Sequence, residues 1–381
     1  MTFSFSSPQT IHFGRGQSQQ AAAIAAGYGK TALLVHGANA DRVQWLMKSC
    51  ADAGLMTKTI SCKSEPSLQA IEQALVQLGG FHPSVVVAVG GGSVMDFAKT
   101  LAALIPCDGS PIEYLEIVGT GRLLEHEPIP MIALPTTAGT GAEVTKNAVI
   151  SVPERGLKVS LRDPRMIPQV AIVDPDLMQG APKHVALCAG LDAITQVIEP
   201  YLSVKANPMT DALCLAAIPV GVRALRDVVE QDCPEGWDAL AWVSTCGGLT
   251  LANAGLGAVH GFAGVIGGKT NAPHGEVCGA LLPPVLESHL RHAEKGTDIH
   301  ARLTWVMGHF DVYFGQAQKN AGLAGLRQWS IEMGLRGLNE IGLLTENHSE
   351  VAAAAATASS MKGNPFPLSE NELMQILQAA K

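Results

Sequence analysis

The chain has 381 residues, 47% hydrophobic and 16% charged, which excludes a disordered polypeptide and gives enough length for two domains with buried cores. Forty glycines without a three-residue period exclude a collagen-like chain. A formal net charge of −8, from 26 Lys and Arg against 34 Asp and Glu with no basic stripe, disfavours a nucleic-acid partner.

The amino-terminal ten residues, MTFSFSSPQT, lack both the basic and the apolar regions of a signal peptide. Residues 31–37 (TALLVHG) form a β-rich run that ends on a Gly-Ala-Asn turn. A helix is expected over 41–54, with Val43, Leu46, Met47 and Cys50 on one face. Residues 56–61 read as a second strand. Residues 67–78 read as an amphipathic helix carrying Leu68, Ile71, Leu75 and Leu78 at helical spacing. The run SVVVAV at 84–89 is the strongest strand, continuous and β-branched as in a strand buried on both faces. Short apolar strands follow at 131–134 and 170–173. Strand–helix–strand alternation predicts a parallel sheet covered by helices.

After Pro182 the texture changes to Ala, Leu and Gly with helical periods, as at 211–225 and 351–361. An α/β domain over 1–182 followed by an all-helical domain over 183–381 is expected. The most apolar long stretch, 249–268, contains Asn253, His260 and six glycines, so a buried helix plus loop is expected there rather than a membrane span. Eight scattered cysteines without a C-x-x-C pair read as reduced, buried thiols of a reducing compartment. A cytoplasmic protein is expected.

Two loops carry candidate chemistry. Gly90, Gly91, Gly92 and Ser93 stand between the strongest strand and a predicted helix, with Ser93 placed to cap it and Asp96 in its first turn. Glycines there let backbone N–H groups approach an anion at a helix N-terminus. The alternative is a tight turn that needs positive φ, and the G-x-G-x-x-G spacing is absent. The second loop, 134–145, is rich in threonine and glycine (Thr136, Thr137, Gly139, Thr140, Gly141). Its hydroxyls suit a nucleotide, whereas a functionless Ser/Thr-rich connector is the plainer explanation. Two such loops after strands of one sheet meet at its carboxyl edge, where α/β sheets bind ligands.

Farther along, Asp192 and Gln196 lie four apart on one face of a predicted helix, and His260 and His274 each follow a glycine- or proline-containing turn. One carboxylate and two imidazoles form a plausible set for a divalent cation such as iron or zinc. Taken singly, each has a plain structural explanation.

The segments GGGSVMDFAK, ALPTTAGTGAEVT, VAIVDPDL, GLDAITQVIEPYLS, NAGLGAVH and APHGEVCGALLPPV occur in that order. The chain thereby resembles the iron-containing, or group III, alcohol dehydrogenase family over essentially its whole length. The resemblance implies a dehydroquinate synthase-like fold: an α/β dinucleotide-binding domain, an all-α domain, and a metal in the cleft between them. It implies that Gly37, Gly91, Gly92, Ser93, Asp96, Thr136, Thr137, Thr140 and Lys158 line an NAD(P) site, and that Asp192, Gln196, His260 and His274 surround the metal. An NAD(P)-dependent alcohol dehydrogenase acting on a small alcohol or its carbonyl partner follows, with the metal as Lewis acid and a homodimer as its assembly.

Two departures from the family pattern bear on this. The family usually has His at the position of Gln196, and another His at the position of Gly264; Gln is a weak donor and Gly is none, so iron is expected to bind more loosely. Related glycerol dehydrogenases use one Asp and two His around zinc. Maleylacetate reductases, which can work without metal, lose ligands more thoroughly, so a metal-free reductase is one alternative and a lyase like dehydroquinate synthase another. At the end of the first strand Gly37 stands where NAD-strict members often have Asp. NADP is thus admitted, while NAD comes first because no Arg or Lys stands ready to pair a 2′-phosphate.

Overall fold

A computed structural model describes residues 2–270, 272–315 and 321–381. Among them run eight strands: β1 (Thr10–Phe13), β2 (Thr31–His36), β3 (Met56–Ser61), β4 (Val85–Gly90), β5 (Met131–Pro135), β6 (Asn147–Val152), β7 (Leu157–Arg162) and β8 (Val170–Val173). Six of them form one all-parallel sheet in the order β1-β8-β5-β4-β2-β3. The remaining pair, β6 and β7, is an antiparallel hairpin. Four helices belong to this part: α1 (Ala21–Ala26), α2 (Gln44–Asp52), α3 (Leu68–Leu78) and α4 (Gly92–Leu104).

Successive residues of a strand point to opposite faces, and the core follows that period. Leu33, Val35, Val86, Ala88, Met131 and Ala133 pack with α3, α4 and the hairpin. Their neighbours Ala32, Leu34, Val85, Val87, Ile132 and Leu134 pack with α1 and α2 on the other face. Every residue of β4 is buried, as its β-branched run requires. The chain leaves β2 towards β3 on one side and returns as β4 on the other, which puts a topological switch point between β2 and β4.

Three strands lie outside the sequence expectations: the edge strand β1 and the hairpin β6–β7. Helix α2 is also shorter than expected, because residues 40–43 form a 3-10 turn before it, with the Asn39 side chain accepting from the Asp41 N–H.

The carboxyl-terminal part contains helices only: α5 (Lys183–Leu202), α6 (Pro208–Gln231), α7 (Pro234–Ala254), α8 (Ala258–Thr270), α9 (His274–His292), α10 (Asp298–Phe314), α11 (Gly322–Glu332), α12 (His348–Thr357) and α13 (Glu370–Ala379). Helix α5 is central, packed against α6, α7 and α9, and all but its first turns are buried. Among the described residues α5 alone is long and apolar enough to cross a membrane, and 89% of its apolar window is buried inside the protein. The apolar stretch 249–268 is the end of α7, a three-residue turn and most of α8, with a bend of 99° between the helices.

The helix expected over 351–361 stops at Thr357, and residues 359–363 form a separate 3-10 turn. The break brings Asn364 to the start of α8, where its Oδ1 accepts from the Ala258 N–H at 3.0 Å. The described residues divide into two compact units: 6–137 with 141–178, and 179–381 with 138–140 and the amino-terminal segment. All eight cysteines are free, and six are buried.

Candidate functional site

The two glycine- and threonine-rich loops follow the carboxyl ends of adjacent strands. Gly37 follows β2, Gly91 follows β4 and Thr136 follows β5, and the Thr136 N–H donates to the Gly90 carbonyl at 2.9 Å. Strand β4 runs through to Gly90, which leaves only Gly91 for the turn into α4. Gly91 is therefore the N-cap, in extended conformation, and Ser93 is the second helical residue rather than the cap.

None of the three glycines has positive φ; the requirement is close approach. A Cβ at Gly90 would lie 2.4 Å from Val94, and one at Gly91 would lie 3.2 Å from the Thr137 side chain. Gly92 opens α4, so its N–H is among those that α4 leaves without an intrahelical acceptor. A Cβ at Gly37 meets nothing closer than Val94 at 4.0 Å.

Two of the expected nucleotide residues already have partners. The Asp96 carboxylate accepts from the Val149 N–H at 2.9 Å and lies 3.5 Å from Lys99 Nζ, tying α4 to β6. Lys158, on β7, is paired with Glu65 at 2.5 Å. Thr140 packs with the helical unit, where neighbouring Gly139 leaves no room for a Cβ beside Ala189.

The second site lies wholly within the helical unit. Asp192, Gln196 and Glu199 are spaced four and seven residues along one face of α5, and each is at least 95% buried. Two glycines let neighbouring backbone come close. A Cβ at Gly275 would lie 2.2 Å from the Cys188 carbonyl, so Gly275 permits α9 to begin against α5 with His274 turned towards Asp192. A Cβ at Gly257 would lie 3.0 Å from Glu199 Oε1, the oxygen that accepts the Val259 N–H at 2.7 Å.

Glu199 Oε2 lies 2.7 Å from His260 Nδ1. A carboxylate only accepts, so Nδ1 carries a proton, and Nε2 is the nitrogen left to face Asp192 or a cation. Nε2 of His260 lies 3.3 Å from Asp192 Oδ1, and Nε2 of His274 lies 3.8 Å from the same oxygen. Asp192 Oδ1 and Gln196 Oε1 are buried without a hydrogen-bond partner.

The Cys278 thiol, one turn after His274 on α9, completes the group at 3.6 Å from His274 Nε2 and 3.9 Å from His260 Nε2. Against the cost of burial, the two imidazoles and a hydrogen bond from Gln196 hold the Asp192 carboxyl down to about 2. Burial opposes the charged form of His260 and His274, yet their Cys278 and Asp192 neighbours raise both above the usual imidazole value.

Sequence reasoning singled out Asp192, Gln196, His260 and His274; the structure brings Asp192, His260 and His274 together, with Gln196 one turn after Asp192 on α5. It passed over Glu199 and Cys278. Helical spacing was the available signal: Glu199 stands two turns after Asp192, and Cys278 one turn after His274. A neighbouring trio, His184, Cys188 and Glu276, is closed by Arg336, which binds Glu276 through two nitrogens at 2.8 and 2.7 Å. Gly264 lies exposed on α8 with open space around it.

The chain combines a parallel α/β unit with glycine-rich loops after its strands and a helical unit holding one carboxylate and two imidazoles in one cluster. Residues 8–175 match the family described as iron-containing alcohol dehydrogenase, and residues 186–381 match the carboxyl-terminal domain of the same family. The chain belongs to the iron-containing alcohol dehydrogenase family.

Among its relatives, the lactaldehyde reductase of Escherichia coli is 32% identical over 319 residues, covering 83% of this chain and 81% of that protein. Long-chain-alcohol dehydrogenase 1 of Geobacillus thermodenitrificans is 40% identical over 227 residues, which is 58% of this chain and little more than half (56%) of the relative's length. The structure of a sulfoacetaldehyde reductase from Bifidobacterium kashiwanohense in complex with NAD+ superposes with a TM-score of 0.84 at 25% identity, covering 99% of this chain and 98% of that one.

Proposed function

We propose that this protein is an NAD(P)-dependent alcohol dehydrogenase that interconverts a small alcohol and its aldehyde or ketone, using a divalent cation held by Asp192, His260 and His274. The observation that carries the reading is the buried Asp192 Oδ1, which has no hydrogen-bond partner and faces two imidazole Nε2 atoms at 3.3 and 3.8 Å. The donor set fits a cation in its chemistry as well, because the Glu199–His260 pair has the carboxylate–histidine arrangement that orients metal-binding imidazoles. A bound cation supplies Lewis-acid polarisation of the substrate oxygen, and the nicotinamide supplies the hydride acceptor or donor.

The chain's own residues do the remainder. Glu199 keeps the His260 proton on Nδ1 and its Nε2 free to bind. The His274 side chain is 39% exposed, which leaves one side of the donor set within reach of a substrate oxygen from solvent. At the sheet edge, the backbone from Gly91 through Ser93 offers N–H groups to a pyrophosphate. Thr136, Thr137 and Thr140 add hydroxyl donors and acceptors.

Asp96 and Lys158 would have to exchange their present partners to reach a nucleotide. Gly37 carries no carboxylate to repel a 2′-phosphate, so NADP is accepted alongside NAD. The NAD+ complex of the sulfoacetaldehyde reductase supports NAD as the first choice. The names of the two aldehyde reductases support a short carbonyl compound as substrate.

The test combines metal analysis of protein purified without chelator with reduction of NAD and NADP across a panel of small alcohols. One metal ion per chain, turnover with at least one alcohol, and loss of both metal and turnover in His274→Ala are expected. Substoichiometric metal together with near-normal turnover in His274→Ala would overturn the metal reading and leave a metal-free reductase.

A further inference from the structure

Resting on the metal reading above, we infer that Cys278 is a fourth protein ligand. The argument is geometric. Typical Zn–N and Zn–O distances near 2.0–2.1 Å and a Zn–S distance near 2.3 Å give a tetrahedron with N···O edges of about 3.3 Å and N···S edges of about 3.6 Å. The protein already holds its donors near those spacings. His260 Nε2 to Asp192 Oδ1 is 3.3 Å, and His274 Nε2 to Asp192 Oδ1 is 3.8 Å. Cys278 Sγ lies 3.6 Å from His274 Nε2 and 3.9 Å from His260 Nε2.

All four donor atoms lie within 4.8 Å of one another, so one ion can touch them together. The lost imidazole on α5 is thereby replaced from α9, by a donor one helical turn after His274.

This ligand set has a chemical consequence. A thiolate is soft and favours zinc or cobalt over the harder cations, whereas Gln196 would have added one more weak oxygen. Binding releases the thiol proton to solvent and forms one metal–sulfur bond without any change of oxidation state. Zinc can expand to five-coordination, so a substrate oxygen can still enter from the exposed His274 side.

Cobalt(II) reconstitution of the metal-free full-length protein tests the assignment without recourse to turnover. At one cobalt per chain the wild type should show visible ligand-field bands and an intense near-ultraviolet sulfur-to-cobalt charge-transfer band. Cys278→Ser should lose the near-ultraviolet band and keep the ligand-field bands. Cys188→Ser and Gln196→Ala should keep both.

Ligand-field bands without the charge-transfer band in the wild type would overturn the Cys278 assignment and leave the three-ligand reading standing. Loss of the band in Cys188→Ser, with retention in Cys278→Ser, would overturn it in favour of the neighbouring thiol. A wild type that binds no cobalt or zinc would overturn the metal reading itself, and Cys278 with it.

Discussion

Glu199→Gln separates metal binding from folding, because two donors meet its two carboxylate oxygens. The Val259 N–H points at Oε1 and the His260 Nδ1–H at Oε2, each at 2.7 Å. Glutamine has one oxygen and one NH2 in nearly the same volume. The Val259 N–H is backbone and can only donate, so the amide oxygen must serve it and the NH2 must face His260. His260 then has to accept at Nδ1 and carry its proton on Nε2, the atom that faces Asp192. A protonated Nε2 cannot bind a cation.

Altered second-layer partners of metal-binding histidines typically cost about 10- to 100-fold in affinity, which is about 1.4 to 2.7 kcal/mol. Both hydrogen bonds survive in altered form, so the melting temperature of the metal-free protein should move little. Glu199→Ala should differ, since it strands two buried donors at about 1–3 kcal/mol each and should lower the melting temperature as well. Zinc affinity would be read by competition against a chromophoric chelator, alongside thermal melts of the metal-free proteins. Wild-type zinc affinity in Glu199→Gln would refute the tautomer argument and remove His260 Nε2 from the ligand set.

Gly91→Val should weaken NAD(P) binding by at least about tenfold, or about 1.4 kcal/mol, because its Cβ arrives 3.2 Å from Thr137. Unchanged affinity in a fluorescence titration would take this loop out of the site. Gly37→Asp has room for its side chain and should raise the KM for NADP with little effect on that for NAD; equal effects would show that position 37 does not face the adenosine ribose.

A third expectation concerns His289, a buried imidazole whose nitrogens lack partners; burial lowers it from 6.5 to about 4. The unfolded chain takes up a proton near pH 6.5 and the folded chain only near pH 4, so this contribution to stability is whole above pH 6.5 and drains away as the pH falls towards 4. At most about 3 kcal/mol is involved. His289→Leu should flatten the melting profile over that window, and identical slopes in variant and wild type would contradict the assignment.

Much of the sheet was readable because burial on both faces leaves a plain trace: β2, β4, β5 and β8 are continuous apolar runs. Strand β1, TIHF, is a four-residue edge with a histidine and two partly buried positions, too short to show a period. The hairpin escaped for another reason. In β6 and β7 buried Ala148, Ile150, Val159 and Leu161 alternate with polar or exposed residues, so neither strand forms a continuous apolar run. Its place in the fold is fixed from a distance, by Asp96 on α4 and by Lys99, whose buried ammonium donates to Thr145 and Asn147.

The candidate metal site shows the same division. Residues in motifs could be found singly, but which of them share a centre depends on how α5, α8 and α9 pack. That packing depends on glycines such as Gly275 and Gly257, whose importance lies in what their missing Cβ atoms would strike.

Every donor of the cluster comes from α5, α8 and α9, helices of one compact unit. A cation bound there acts on the folding equilibrium of that unit, adding about 2.7 kcal/mol when its free concentration is a hundred times the dissociation constant. Zinc should therefore raise the calorimetric transition in which these helices unfold. Scarcity of metal then becomes a question of survival for half of the polypeptide: a chain starved of zinc would offer its helical half to proteases.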